Sequence, residues 1–381
     1  MTIMNEVVIV AAEAVSALGD NRAETWRRLL TGESAAVPVT SFVSTPYYCK
    51  IAAEIKKLNS RPQGTSRLEI LLQQLFRNLP ATLPASCTLI GSTLKGAIDL
   101  QEQAWLTNKI LRPLPLMAAE MVAEHFSLNH PGLLINAACA SSTVALNRAA
   151  GRIAAGFNDC ILVWGTEIIS EFVFAGFTSI KALAPDSCRP FDQQRNGLIL
   201  GEGAAALLLM SSEKAKSENS QPLAKISGWG IANDAVHLTA PAADGHGLLE
   251  ACRRALRRAA LEPEDIAAIN AHGTATIHND KMEIAAFTEL FYKSGKHKKI
   301  PLHSVKGALG HTLGAAGVLE TAIAINSLQE QRLPPTVGLM QPETDICSQV
   351  SSGIQPFSGD NLLLTNSGFG GVNAALILQR S

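Results

Sequence analysis

The segment LLINAACASSTVALNRAAGRI, residues 133–153, runs from an apolar stretch through a corner of small residues into an alanine-rich helical pattern. The corner holds Cys139. A second segment, PLHSVKGALGHTLGAAGVLETAI, residues 301–323, repeats the layout, with His311 at its corner and Lys306 just ahead. EGAAALLLM (202–210) and GGVNAALIL (370–378) correspond in the same way near the end of each half. Internal similarity of this kind precedes any other reading of a fold. It predicts two similar α/β halves, about 1–215 and 222–381, packed as one unit, with polar SSEKAKSENSQP (211–222) as connector.

Working outward, strand-like runs interleave with helical ones. VVIV (7–10), CTLIGST (87–93), GLLINAA (132–138), CILVWGTE (160–167) and AAALLLM (204–210) read as strands of the first half. KISGWG, AAINAHG, IPLHSVK, NLLLTNS and AALIL read as strands of the second. Apolar strands alternating with helices predict an α/β fold with a largely parallel or mixed sheet. Residues 95–130 carry few strand signals and read as a cap or interface insertion.

The bulk numbers bound the function. With 47% apolar and 17% charged residues in 381, the chain is a compact globular protein with a large core. A net charge of −1 argues against bulk attraction to nucleic acid or an anionic membrane. The seven cysteines are scattered and form no CxxC pair, so no disulfide framework or zinc site is expected, and reduced cysteines in a cytoplasmic protein are. No apolar run reaches transmembrane length, so no membrane insertion is expected.

Cys139 stands at a strand-to-helix corner, where unpaired N–H groups and the helix dipole favour a thiolate. A buried structural cysteine is the competing reading at this position alone. In NAHGTAT (270–276), His272 ends a strand, followed by a tight loop with Thr274 and Thr276. His311 opens the related helix of the second half, where an imidazole is expected to stay neutral. TNSGFGGVNAAL (365–376) supplies a glycine loop that lets backbone N–H groups approach a ligand. A cysteine and two histidines at strand-end corners of two like halves form a more specific pattern than any one of them.

These residues carry a family resemblance. NAACASS, GFTSIKALAPDSCRPFDQQRNGLILGEGAAALLL, NAHGTATIHNDKMEIAAF, SVKGALGHTLGAAG and GFGGVNAAL resemble the elongating β-ketoacyl-acyl carrier protein synthases of the thiolase superfamily, nearly end to end. The resemblance implies a layered αβαβα thiolase-like fold and decarboxylative condensation of an acyl chain on Cys139 with a malonyl thioester. His272 and His311 would be the oxyanion donors, and Lys306 and Glu283, with Asp280 nearby, the groups that order them. Thr274 and Thr276 would bind the phosphopantetheine arm. Phe177 would line the acyl channel, and Ser367, Gly368 and Phe369 would form a substrate-binding loop, one of whose N–H groups, with that of Cys139, would hold the tetrahedral oxyanion. No metal and no separate cofactor is implied, since the substrates ride on the acyl carrier protein.

Carrier proteins are acidic, so Lys109, Arg112, Lys181 and Arg67 are candidates for a basic docking rim. RRALRR (253–258) reads as a solvated helix face. The family also implies a dimer, either a homodimer or a heterodimer with a ketosynthase-like or chain-length-factor-like chain, with the strand at 160–167 as the pairing strand. The common family loop reads NSFGFGG and here TNSGFGG: either Ser367, counted back from GFGG, takes the place of the gating phenylalanine and the gate is absent, or the loop is re-registered. A missing bulky gate suits a rigid or conjugated acyl chain, as in polyketide or aryl-polyene assembly. Two other readings stay open from the sequence: a cysteine-dependent thioester hydrolase, and a non-elongating chain-length-factor-like partner subunit.

Overall fold

A computed structural model describes residues 4–60, 62, 64–111, 114–291, 299–344 and 349–381. Ten strands form one sheet, in the spatial order Leu302–His303, Ile266–Asn270, Asn361–Gly368, Val372–Arg380, Ala224–Asn233, Val7–Ser16, Gly203–Ser211, Cys160–Glu167, Thr88–Ser92 and Leu133–Leu134. The sheet divides between Ala224–Asn233 and Val7–Ser16, which share only three register pairs, from Val7↔Ile226 to Ile9↔Ala224.

The two halves have one topology. Numbered along the chain within each half, the strands lie in the order third, second, fourth, fifth, first. In each, the third–second and second–fourth pairs are parallel and the other two antiparallel. The connector region holds the helix Ser212–Ser217 and leads directly into Ala224–Asn233.

Two helices fill the space between the half-sheets. Ser141–Ala154 and Ala316–Glu330 are buried nearly all round, which is the signature of a core helix. Their alanines, leucines and isoleucines share one cluster with Val7, Ile9, Ile161, Val163 and Leu207 of the first half-sheet and Leu362, Leu364, Leu376 and Leu378 of the second. The outer face of the first half-sheet is covered by Arg67–Phe76 and Leu114–His125. That of the second is covered by His246–Ala259 and Ile277–Phe291. The order helix, sheet, helix, sheet, helix follows from strands that are apolar on both faces: all eight residues of Cys160–Glu167 and all nine of Gly203–Ser211 are buried.

The two core helices touch at their N-terminal ends. A Cβ on Gly317 would stand 2.0 Å from Thr143 Oγ1 and 3.0 Å from Asn366 Oδ1, so this crossing admits no side chain there.

Three sequence expectations change. Arg67 is 2% exposed and takes no part in a rim. Its guanidinium lies 2.7 Å from Glu202 and 3.8 Å from Glu54 and donates to the Ile169 carbonyl at 2.7 Å. The sequence did not reveal this because Glu202 is 135 positions away. The strand Cys160–Glu167 is hydrogen-bonded on both sides, by Gly203–Ser211 and Thr88–Ser92, so it has no edge for a partner; the free edge of this half is Leu133–Leu134. The long strands expected at 132–138 and 300–306 shrink to Leu133–Leu134 and Leu302–His303, because the chain turns early into the two corners.

Removing one member of a buried charge cluster leaves the others uncompensated. Arg67→Met is therefore expected to cost about 3–5 kcal/mol of stability in urea unfolding, and Glu202→Gln in the same chain to recover part of it. A loss below about 1 kcal/mol would mean the cluster is not a structural tie.

Candidate active site

The parallel strands of both halves point their C-terminal ends at one place, and the candidate residues sit just beyond them. Cys139 follows Leu133–Leu134 and precedes the helix Ser141–Ala154. His311 follows Leu302–His303 by way of the short helix Lys306–Leu309, and a single 3-10 turn separates it from Ala316–Glu330. His272 lies two residues past Ile266–Asn270, and Ser367 and Gly368 end Asn361–Gly368. Three of these corners hold a non-glycine residue in the left-handed region: Ala138 at φ 48°, Ala275 at φ 64° and Leu313 at φ 49°. Such residues cost about 1–3 kcal/mol each and persist where the surrounding fold over-determines them.

These corners close on a cavity of about 440 Å³. Cys139, His272, His311, Thr274, Thr276, Phe177, Ser367, Gly368 and Phe369 all line it. The two imidazoles meet edge to face, with ring centroids 5.2 Å apart. Gly368 is pressed against the cysteine corner: a Cβ there would stand 2.7 Å from the Ala137 carbonyl and 3.1 Å from the Cys139 nitrogen. The Thr274 and Thr276 hydroxyls lie 2.9 Å apart on the cavity wall. Phe369 stacks on Phe177 with centroids 6.1 Å apart. The Ser367 hydroxyl hydrogen-bonds Asn373 Oδ1 at 2.6 Å.

Behind the histidines lies a fully buried polar network. Lys306 Nζ sits 2.5 Å from Glu320 Oε1, with both side chains at most 2% exposed. Asn366 Nδ2 donates to Glu320 Oε2 at 2.8 Å and lies 3.2 Å from His272 Nδ1. The Leu313 N–H donates to His311 Nδ1 at 3.3 Å. Glu283 accepts the backbone N–H groups of His272 and Gly273 at 2.7 and 2.6 Å, so it holds the loop rather than the imidazole. The buried Asp280 accepts the Phe191 N–H at 2.8 Å. His311 Nε2 is buried with no protein partner among the described residues.

The electrostatics follow from this burial. Desolvation, with the Lys306 charge adding to it, pushes His272 and His311 well below the usual imidazole range. Both are neutral at pH 7 and have one N–H to offer. Desolvation raises the Cys139 thiol to about 12, against an opposing pull from Lys306. The expected low-pKa thiolate at the helix end is thus not what burial produces. Glu167, at the end of Cys160–Glu167, is pushed up to about 8 by burial while accepting the Leu94 N–H at 2.5 Å.

Of the docking candidates, Lys181 is exposed and lines the cavity, and Lys109 is exposed in the cap region. Arg112 lies outside the described residues. Among the described residues, no group of three or more His, Cys, Asp and Glu side chains is placed to hold a metal ion. No helix among them is long and apolar enough to cross a membrane. Sequence reading missed Glu320 and Asn366. Glu320 had a signal, as the lone charge in the apolar run GAAGVLETAIAI (314–325) downstream of Lys306; Asn366 had none.

Alkylation reports the thiol directly. Modification of Cys139 by iodoacetamide is expected to rise about tenfold per pH unit from pH 7 to 10 without a plateau. Peptide mass spectrometry reads it, and a plateau near neutral pH would mean that the helix end outweighs burial after all.

Residues 89–215 match the β-ketoacyl synthase N-terminal domain family and residues 223–340 the β-ketoacyl synthase C-terminal domain family. The 3-oxoacyl-[acyl-carrier-protein] synthase 2 of Coxiella burnetii is 31% identical, covering 98% of both chains; that of Rhizobium meliloti is also 31% identical, covering 99% of both. Among solved structures, the ishigamide ketosynthase/chain length factor superposes with a TM-score of 0.86 at 26% identity, covering 99% of this chain and 100% of that one. A ketosynthase in complex with its chain length factor from Xenorhabdus doucetiae shares the fold, with a TM-score of 0.82 at 24% identity, covering 99% of this chain and 98% of that one. Built on a thiolase-like fold, with these relatives along its whole length, the chain belongs to the β-ketoacyl synthase family.

Proposed function

We propose that the chain is a β-ketoacyl-acyl carrier protein synthase in which Cys139 carries the acyl group and His272 and His311 stabilise the enolate. The observation that carries this reading is one cavity that brings Cys139 together with the neutral imidazoles of His272 and His311.

In the first half-reaction Cys139 Sγ attacks the thioester carbonyl of an acyl chain on a carrier protein's phosphopantetheine arm. The S–C bond to the arm breaks, and the thiol proton ends on the departing pantetheine sulfur. Because the thiol is neutral, its proton leaves as the new bond forms. Thr274 and Thr276 offer hydroxyls to the arm. A malonyl thioester then enters. Its carboxylate leaves as CO₂, and the bonding pair becomes an enolate whose charge sits on the thioester oxygen. The Nε2–H groups of His272 and His311 meet that oxygen. The enolate carbon attacks the Cys139 thioester, and the tetrahedral oxyanion faces the Cys139 N–H and an N–H of the 367–369 loop. Collapse expels the Cys139 thiolate, which takes up a proton.

Lys306 supplies a fixed positive potential, and Glu320 keeps it from being an isolated buried charge. Lys181 at the mouth and Lys109 in the cap are the docking groups for an acidic carrier protein. The partner chain, a copy or a chain-length-factor-like subunit, pairs at the free edge Leu133–Leu134. Leu133 is 47% exposed there, and the cap exposes Trp105, Leu106 and Ile110. The acyl substrate is rigid or unsaturated, as in a specialised type II pathway: Ser367 leaves room where the common family loop is bulky.

Intact-mass spectrometry with acyl carrier proteins tests the reading. Wild type is expected to form an acyl adduct that Cys139→Ala loses. His272→Ala and His311→Ala are expected to keep the adduct while condensation falls about 10²–10³-fold each. An adduct persisting in Cys139→Ala would move the nucleophile elsewhere, and hydrolysis without an extended product would mean a thioesterase. Polyunsaturated and aryl chains are expected to load faster than long saturated ones; the reverse order would return the chain to fatty-acid elongation. Ser367→Phe is expected to slow bulky donors more than short ones, and equal slowing would remove the gate from that position.

A further inference from the structure

We propose that Asn366 is a positioning residue that fixes the tautomer of His272, keeping its proton on Nε2 where it faces the cavity. The proposal deepens the condensing reading and rests on it for its catalytic consequence.

The geometry allows one orientation of the Asn366 amide. Its side chain is fully buried. One neighbour, Glu320 Oε2 at 2.8 Å, belongs to a carboxylate whose other oxygen holds the Lys306 ammonium. An ionised carboxylate only accepts hydrogen bonds, so the NH₂ of Asn366 must face it. The Thr143 hydroxyl donates to Asn366 Oδ1 on the opposite side. The NH₂ then has one hydrogen for Glu320 and one for His272 Nδ1, 3.2 Å away. A ring nitrogen that accepts carries no proton, so the His272 proton is on Nε2. His311 reaches the same state by another route, through the backbone N–H of Leu313 on its Nδ1.

The amide thus joins three parts of the machinery. Through Thr143 it grips the helix that Cys139 precedes, through Glu320 the Lys306 ion pair, and through Nδ1 the histidine. A serine hydroxyl at this position would reach less far and could either donate or accept, whereas the amide is a fixed donor.

The test compares wild type with Asn366→Asp, Asn366→Ala and Asn366→Ser. The first replaces the donor with an acceptor of the same shape, the second removes it, and the third restores a short donor. Each is read two ways. Nitrogen NMR of ¹⁵N-histidine-labelled protein, with His272→Gln to assign the ring signals, reports which nitrogen carries the proton. Separate assays follow Cys139 acylation and malonyl decarboxylation. Wild type is expected to show a proton on Nε2 alone. Asn366→Asp moves it to Nδ1 or makes the ring an imidazolium, and Asn366→Ala gives a mixture. Acylation stays within about threefold, and decarboxylation falls about a hundredfold, the loss of one oxyanion donor. Asn366→Ser recovers part of that loss.

A His272 proton that stays wholly on Nε2 in Asn366→Ala would overturn the proposal, whether or not Asn366→Asp folds. So would an equal loss in both half-reactions with no change in the ring signals. A wild-type protein inactive in both half-reactions would count against the condensing reading instead, and the spectra would still decide the tautomer.

Discussion

Two helices lie between two sheets, and both must begin inside the protein. This constraint organises the site. A helix N-terminus leaves N–H groups without intrahelical partners, and burial makes them costly unless they are met. Neither Ser141–Ala154 nor Ala316–Glu330 is capped by the side chain of its N-cap residue, Ala140 and Ala315 respectively. They are met from elsewhere. The Val318 N–H donates to Ser142 Oγ of the other helix, and the Ser141 N–H donates to the Ala138 carbonyl of its own corner. The two helix starts therefore hold each other, and the corners that lead into them carry Cys139 and His311. Side-chain bulk at the crossing would separate them, which is why Gly317 stands against Thr143.

Charge placement is the second consequence. A lysine this deep is tolerable only with a carboxylate beside it, and Glu320 is that carboxylate. The pair leaves a local positive potential that helps to keep both imidazoles neutral. Neutral imidazoles are good donors to a charge that appears only during the reaction, because they do not bind a resident anion beforehand. The same burial that silences the histidines as bases silences Cys139 as a thiolate. The site therefore stores no charge on its reacting atoms. Its reactivity depends on the substrate bringing a thioester to the thiol and a carboxylate to the donors.

How much of this was legible in the sequence depended on how local each feature was. The two halves were visible because the pattern of strand, small-residue corner and alanine-rich helix recurs within short windows. Cys139, His272 and His311 were visible because they stand at those corners. Arg67 was misplaced to the surface because the carboxylate that buries it comes from another strand, at Glu202. The strand Cys160–Glu167 was misjudged as a pairing strand because its apolar pattern marks burial and cannot say which strands lie beside it. Asn366 was invisible: its meaning arises only where the fourth strand of one half meets both core helices. The left-handed residues at Ala138, Ala275 and Leu313 gave no sign either, since alanine and leucine carry no preference for that conformation.

The structure separates chemistry from substrate choice. The groups that handle charge, Lys306, Glu320, Asn366, His272 and His311, are almost wholly buried and tied to one another or to the fold. A change at Glu320 or Asn366 disturbs several side-chain hydrogen bonds at once. The side chains on the outer wall of the cavity are looser. Phe369 is 39% exposed and stacks on Phe177, and the Ser367 hydroxyl bonds Asn373. Substitutions there alter the room available without touching the ion pair or the histidines. Changes in the loop at 367–369 therefore reshape the cavity at an energetic cost that stays outside the buried network.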